Sequence, residues 1–270
     1  MTHVLHMLAA HEETWDAAGL LRPASLDTDG FVHATDTADT LLAVANAFYR
    51  KTPGPLVALV VDTTRLQVPV RWEDPSPAPP PGVAADVRFP HIYGPLRREA
   101  VVGRRYVRPA PDGGFVAVET RPETAQLLDM YPHPEGGWFR ETWRAATTVT
   151  PVGYPGQRSV ATAIHYLLSP GEFSRWHRVR SEELWIFNRG GPLELALAGT
   201  GEHPQTPTTH RLGADLEHGN HCQLLVPGQT WQSARPVSGE CLLTCVVAPG
   251  FDFADFEVVA TDTSPPPLSP

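Results

Sequence analysis

Two side chains able to move protons stand close together in WHRVRSEELWIF, residues 176–187: His177 and Glu183. An imidazole titrates near neutral pH, and a nearby carboxylate can orient it or stabilise its charged form, which suits the pair to general acid–base catalysis. The pair also has the spacing of a metal-binding strand pair, except that Val179 stands where a second histidine would complete it. In a strand, positions 177 and 179 point to one face, and a turn after them returns Glu183 to that face. Gln232 in VPGQTWQ would add a neutral oxygen, so His177, Glu183 and Gln232 form the metal-ligating option. Without the second imidazole this is a poorer metal site, so no cofactor is expected and a divalent metal is the alternative.

The elements that must position these residues are mostly strands. RSVATAIHYLL, EELWIFNRG, PLELALAG, CQLLVPG and CLLTCVVAPGF are short apolar runs separated by Gly, Pro and Asn turns, and only ETAQLLDM has helical periodicity. This predicts an all-β sandwich or barrel, with a jelly roll as one solution. The first half is mixed. HEETWDAAGL and DTADTLLAVANAFYR carry apolar residues at helical spacing, with Asp36 or Thr37 as N-cap of the second. GFVHAT, LVALVVD and EAVVGRRYV read as strands, which makes this half an α+β domain. The proline-rich DPSPAPPPG at 74–82 is expected to be an exposed loop, and RPAPDGG at 108–114 has linker composition. The expected organisation is therefore an α+β domain at 1–110, a linker at 111–118, an all-β domain at 119–262 and a disordered tail at 263–270.

The 270 residues suffice for two cores, and with 41% apolar and 19% charged residues the chain is globular. A net charge of −9 without a basic patch argues against a nucleic-acid partner. Cys222, Cys241 and Cys245 are odd in number and form no Cys-x-x-Cys pair, which disfavours disulfides and a thiolate zinc site and fits a reducing compartment. MTHVLHMLAAHEETW lacks the cationic and apolar regions of a signal peptide, and no apolar run approaches a membrane span of about 20 residues. The expectation is a cytoplasmic protein with no membrane partner.

A resemblance sharpens this reading. The first cupin motif runs Gly, five residues, His-x-His, three or four residues, Glu, six residues, Gly, and Gly171, His177, Glu183 and Gly190 fall on those marks. The second motif, Pro-x-Gly-x-x-His, is met by Pro227 but has Gln229 and Gln232 at the glycine and histidine positions. YPHPEGGWFRETWR, WHRVRSEELWIF, VPGQTWQSA and VAPGFDFADFE, in that order, resemble the cupin-5 family. The resemblance implies an RmlC-like jelly-roll cupin that binds a small molecule and forms a homodimer through this domain. Its relatives in shape include sugar-nucleotide 3,5-epimerases. GWFRETW, ending at Glu141, is similar to a segment of those enzymes, and IHYLL places His165 and Tyr166 like their His–Tyr pair. The implied activity is isomerase- or epimerase-like, on a small polar or anionic, sugar-like substrate. His177 or His165 would be the base, Glu183 would orient it, and Tyr166 would donate a proton. His165 could equally be a hydrogen-bonded core residue. Arg140 and Arg144 would clamp an anion, with Glu141 and Gln232 as further ligand contacts, or the arginines are ordinary surface charges. Trp176, Trp185 and Trp231 would stack on a ligand ring or fill the barrel. A metal-dependent cupin oxygenase and a non-enzymatic ligand sensor are the alternatives.

The first half resembles a different family. TWDAAGLLRPASLDTDGFVHATDTADTLLAVANAFY, LVALVVDTTRL, VRWE and FPHIYGPL are similar to the DUF952 family over residues 3–107. That family is grouped by fold with ADP-ribosyltransferases, and the resemblance makes His33 and Thr35 ribose contacts and Tyr93 a stacking residue. No convincing late catalytic glutamate is present, Glu73 being the nearest candidate, so the expectation is a ligand cleft near His33 and His91 rather than transferase activity. FPHIYGPL could also be a loop made rigid by its prolines and glycine.

Overall fold

The computed structural model describes residues 2–76 and 78–259, and the chain divides into two compact units, Met1–Arg121 and Pro122–Pro270. The tail at 263–270 lies outside the described residues.

The strands of the first unit's two main sheets are β1 (His3–Ala9), β2 (Val32–His33), β3 (Leu56–Asp62), β4 (Val70–Glu73), β5 (Phe89–Ile92), β6 (Val101–Pro109) and β7 (Phe115–Glu119). They form two antiparallel sheets, ordered β1-β3-β6-β7 and β2-β5-β4. Helix α1 (Ala38–Phe48) packs Leu41 and Ala45 against Met7, Ala9, Leu56, Ala58 and Val107 of the larger sheet. Thr37 is its cap: the hydroxyl accepts from the Thr40 amide at 3.1 Å, an interaction worth about 1 kcal/mol. Asn46 then ties the helix to β7, donating to the Phe115 carbonyl and accepting from its amide.

Two expectations change here. HEETWDAAGL is not a helix beyond the single turn Ala10–Glu12. Asp16 accepts from the amides of Ala18 and Leu20, and that local turn competes with helical winding. Residues 111–118 are not a linker either. Asp112 accepts from the Gly114 amide inside a hairpin whose second strand, β7, pairs with β6, so the division falls after Arg121.

Strands make up nearly all the regular structure of the second unit, and those of its two main sheets are β8 (Tyr131–Pro132), β9 (Trp138–Arg144), β10 (Thr162–Leu168), β11 (Ser174–Val179), β12 (Glu182–Gly190), β13 (Leu193–Leu197), β14 (Thr208–Leu212), β15 (Gln223–Val226), β16 (Gln232–Pro236), β17 (Cys241–Ala248) and β18 (Phe256–Val258). ETAQLLDM contributes one short helix, Glu123–Leu127. The larger sheet runs β8-β9-β10-β17-β12-β15 and the smaller β14-β13-β16-β11-β18. The core lies between them: Tyr166, Trp185, Leu243 and Cys245 of the first sheet meet Leu193, Leu195, Leu212 and Ala234 of the second. Each strand alternates, so one row of side chains faces this interior and the next row faces away.

Candidate active site

Where the two sheets diverge, the interior opens into a cavity of about 320 Å³. β11 supplies His177 and Val179, β12 supplies Glu183 and Trp185, β10 supplies Ile164 and Tyr166, and β17 supplies Cys245 and Val247. In every case the lining residues are two apart, as strand alternation requires. His133 and Glu135 enter from the turn between β8 and β9, and Phe251, Phe253 and Phe256 close the cavity from the far end of the chain.

The turn holding Glu135 is built on two glycines. A side-chain carbon on Gly136 would lie 2.1 Å from the Phe173 carbonyl oxygen, and both Gly136 and Gly137 have positive φ. Glu135 is thereby pressed into the barrel wall. Its carbonyl accepts from the Arg175 amide at 2.8 Å, which docks the turn on β11.

Glu135 is the centre of the polar network. One carboxylate oxygen accepts from the Ser174 hydroxyl at 2.9 Å. The other lies 3.4 Å from His133 Nδ1 and 3.5 Å from His177 Nε2. His177 Nδ1 donates to the Arg175 carbonyl at 2.8 Å, which fixes the ring and directs Nε2 toward the carboxylate. Burial pushes the Glu135 carboxyl up, but His177, His133 and Tyr166 together outweigh it and leave it at about 2. Glu183 behaves oppositely. Burial raises its carboxyl, the neighbouring Glu135 charge adds to this, and His177 and Gln232 only partly offset it. Tyr166, whose hydroxyl donates to the Gly136 carbonyl at 2.9 Å, is pushed well above its ordinary value by burial and by Glu135.

Gln232 stands behind this set. It donates to Glu183 at 2.6 Å and accepts from the Trp185 indole at 3.0 Å. At the mouth, Arg144 donates to Glu141 through two nitrogens, at 3.0 and 2.6 Å, and is the only Lys or Arg among the described lining residues.

Of the residues selected from sequence, the structure gathers His177, Glu183, Tyr166, Trp185 and Glu141 around one cavity, with Gln232 bonded to its wall. His165 is on the opposite face of β10 from Tyr166, because adjacent residues of a strand cannot share a side. Trp176 is excluded from the cavity for the same reason, being next to His177; it packs with Trp231, Ala196 and Ala198 in a separate cluster. Arg140 is exposed and paired with Asp129 at 2.5 Å. His133 and Glu135 were not selected from sequence. Their signal was a His-x-Glu alternation directly before Gly136-Gly137.

Comparison with known proteins places this unit. The family model described as Cupin superfamily (DUF985) matches residues 122–259, more than half of the chain. The chain belongs to this cupin family. Among solved structures, a protein from Shewanella oneidensis is 34% identical, covers 51% of this chain and 82% of its own, and has a TM-score of 0.45. A hypothetical protein from Leishmania major is 32% identical over 50% of this chain and 84% of its own, with a TM-score of 0.45. A protein from Caulobacter crescentus is 27% identical over 43% of this chain and 94% of its own, with a TM-score of 0.34. No curated protein matches the chain. A second family model, described as a protein of unknown function (DUF952), matches residues 7–104.

His177, Glu183 and Gln232 do not form a ligand set: the Gln232 oxygen accepts from Trp185, its nitrogen donates to Glu183, and His177 Nε2 faces Glu135. Among the described residues, no group of three or more His, Cys, Asp or Glu side chains is arranged to hold an ion. No helix among them is long and apolar enough to cross a membrane.

In the first unit, His33, Thr35 and His91 line a separate cleft of about 420 Å³. Tyr93 stands beside it, its hydroxyl donating to Glu73 at 2.8 Å. Glu73 is therefore the carboxylate behind His91 and Tyr93.

Proposed function

We propose that the cupin cavity carries out proton transfer of the isomerase or epimerase type on a small polar or anionic, sugar-like molecule. One observation carries this reading: two buried carboxyl groups, Glu135 and Glu183, line one cavity with His177, whose Nε2 lies 3.5 Å from Glu135, and their surroundings push Glu135 down and Glu183 up. Such a divergence separates a group kept ionised from one able to hold a proton, with an imidazole between them. In the proposed step, neutral His177 takes a proton from a C–H beside a substrate carbonyl at Nε2, and the C–H electron pair moves onto the carbonyl oxygen as an enolate. Glu135 stabilises the imidazolium that forms. A proton is returned to the opposite face by Glu183 or Tyr166, and collapse of the enolate restores the carbonyl. Arg144 at the mouth supports an anionic or polar substrate group.

The test is solvent exchange. A panel of ketoses and 2-oxo acids is incubated with the protein in heavy water, and loss of the α-proton signal is followed by NMR. The reading expects exchange on at least one class, reduced about 10²–10⁴-fold in His177→Asn. Exchange that is absent, or untouched by His177→Asn, overturns it. Stoichiometric iron, nickel or manganese in purified protein would favour an oxygenase instead, and a tightly co-purified ligand without turnover would favour a sensor.

A further inference from the structure

The cleft of the first unit contains a feature the cupin cavity does not share. His33 of β2 and His91 of β5 are direct partners across an antiparallel pair, so their side chains leave the same face of the sheet side by side. Each ring has one nitrogen held by a carboxylate: His33 Nε2 by Asp29 at 2.9 Å, His91 Nδ1 by Glu73 at 2.7 Å. His33 Nδ1 and His91 Nε2 have no protein partner among the described residues. Glu73 is itself fixed by Tyr93, and Phe31 stacks on the His91 ring at 3.9 Å.

This is the environment of metal-binding histidines, whose second nitrogen is regularly hydrogen-bonded to a carboxylate that sets the tautomer and raises ligand basicity. Here it occurs twice, on neighbouring rings. The spacing agrees. A zinc–nitrogen bond of about 2.05 Å and a ring radius of about 1.15 Å place each ring centre about 3.2 Å from an ion, so a tetrahedral angle separates the centres by about 5.2 Å. The observed separation is 5.4 Å.

We propose that His33 and His91 together bind one divalent ion of the zinc or nickel class at the mouth of this cleft. Two protein ligands are fewer than resident structural metals use, so the site is exchangeable and its remaining positions open toward the cleft.

The experiment is a titration of the untagged full chain with Ni²⁺ and Zn²⁺ alone, in competition with a chromophoric chelator. One ion per chain is expected at micromolar affinity. His33→Ala and His91→Ala should each weaken binding at least about tenfold, and Glu73→Gln by about 10–100-fold. His33 is 55% exposed, so its variant tests the site without endangering the fold. Ni²⁺ should also broaden the NMR signals of these two imidazoles before those of other histidines. Three results overturn the proposal: no ion bound by the unaltered protein, full affinity retained in His33→Ala, or an ion that is lost from His177→Asn instead.

Discussion

Glu135→Gln removes the negative charge between His133 and His177 while leaving an oxygen to accept from Ser174. The ionised carboxylate is favoured in the fold, its pKa falling from the ordinary 4.5 to about 2. That difference of 2.5 corresponds to about 3 kcal/mol of stability at neutral pH. The sign follows from linkage: a depressed carboxyl stabilises the fold above pH 4.5, and the contribution is lost as pH falls toward 2. The gap between native protein and Glu135→Gln should therefore be about 3 kcal/mol at pH 7, about 2 at pH 3.5 and about 1 at pH 2.5. Glu183 is raised partly by the Glu135 charge, so Glu135→Gln relieves part of that shift, and the neutral-pH gap of about 3 kcal/mol is an upper value. Urea unfolding followed by tryptophan fluorescence reports mainly this unit, since Trp138, Trp143, Trp176, Trp185 and Trp231 belong to it and only Trp15 and Trp72 to the other. A gap of equal size at pH 7 and pH 2.5 would refute the argument, because the loss would then come from packing and not from charge.

Gln232→Ala should destabilise the cupin unit by about 2–4 kcal/mol, since it strands both the buried Glu183 carboxyl and the Trp185 indole; an unchanged urea midpoint would contradict it. His6 is buried in the first unit and its pKa is lowered to about 4, mainly by burial, although its Nδ1 is bonded to the His33 carbonyl at 2.8 Å. The unfolded chain takes up the proton first, so about 3 kcal/mol should be lost as pH falls from 6.5 toward 4. His6→Gln should flatten that dependence in amide exchange of the first unit. For the homodimer expected through the cupin unit, sedimentation should give about twice the 29.5 kDa chain mass, and a clean monomer would refute it.

How far the sequence could be read depended on whether the deciding interaction was local. Strand alternation around 177, 179 and 183 needs only neighbouring residues, and those three side chains do share the cavity. The same parity could have separated His165 from Tyr166 and Trp176 from His177, since adjacent strand residues face opposite ways. Glu135 was a different problem. It sits in a turn without period, and its meeting with His177 depends on a backbone bond to Arg175 that no local pattern encodes. The short helix at Ala10–Glu12 and the hairpin at 111–118 failed for a related reason: Asp16 and Asp112 spend their carboxylates on nearby amides, and such side-chain turns overrule composition.

The strand carrying His177 is bordered on one side by β18, which is formed by Phe256–Val258. His133 and Glu135 lie near the start of the same unit. The cupin cavity is thus closed where the two ends of its own unit meet, as His133 does Phe256, a contact of very large sequence separation. Loop-closure entropy must be met before such a contact returns any stabilisation, which places it late in folding. A growing chain that has already made β11 and β12 has His177 and Glu183 but not the wall that buries them. The charge pattern of the finished site, which depends on that burial, arrives only when the final strand docks.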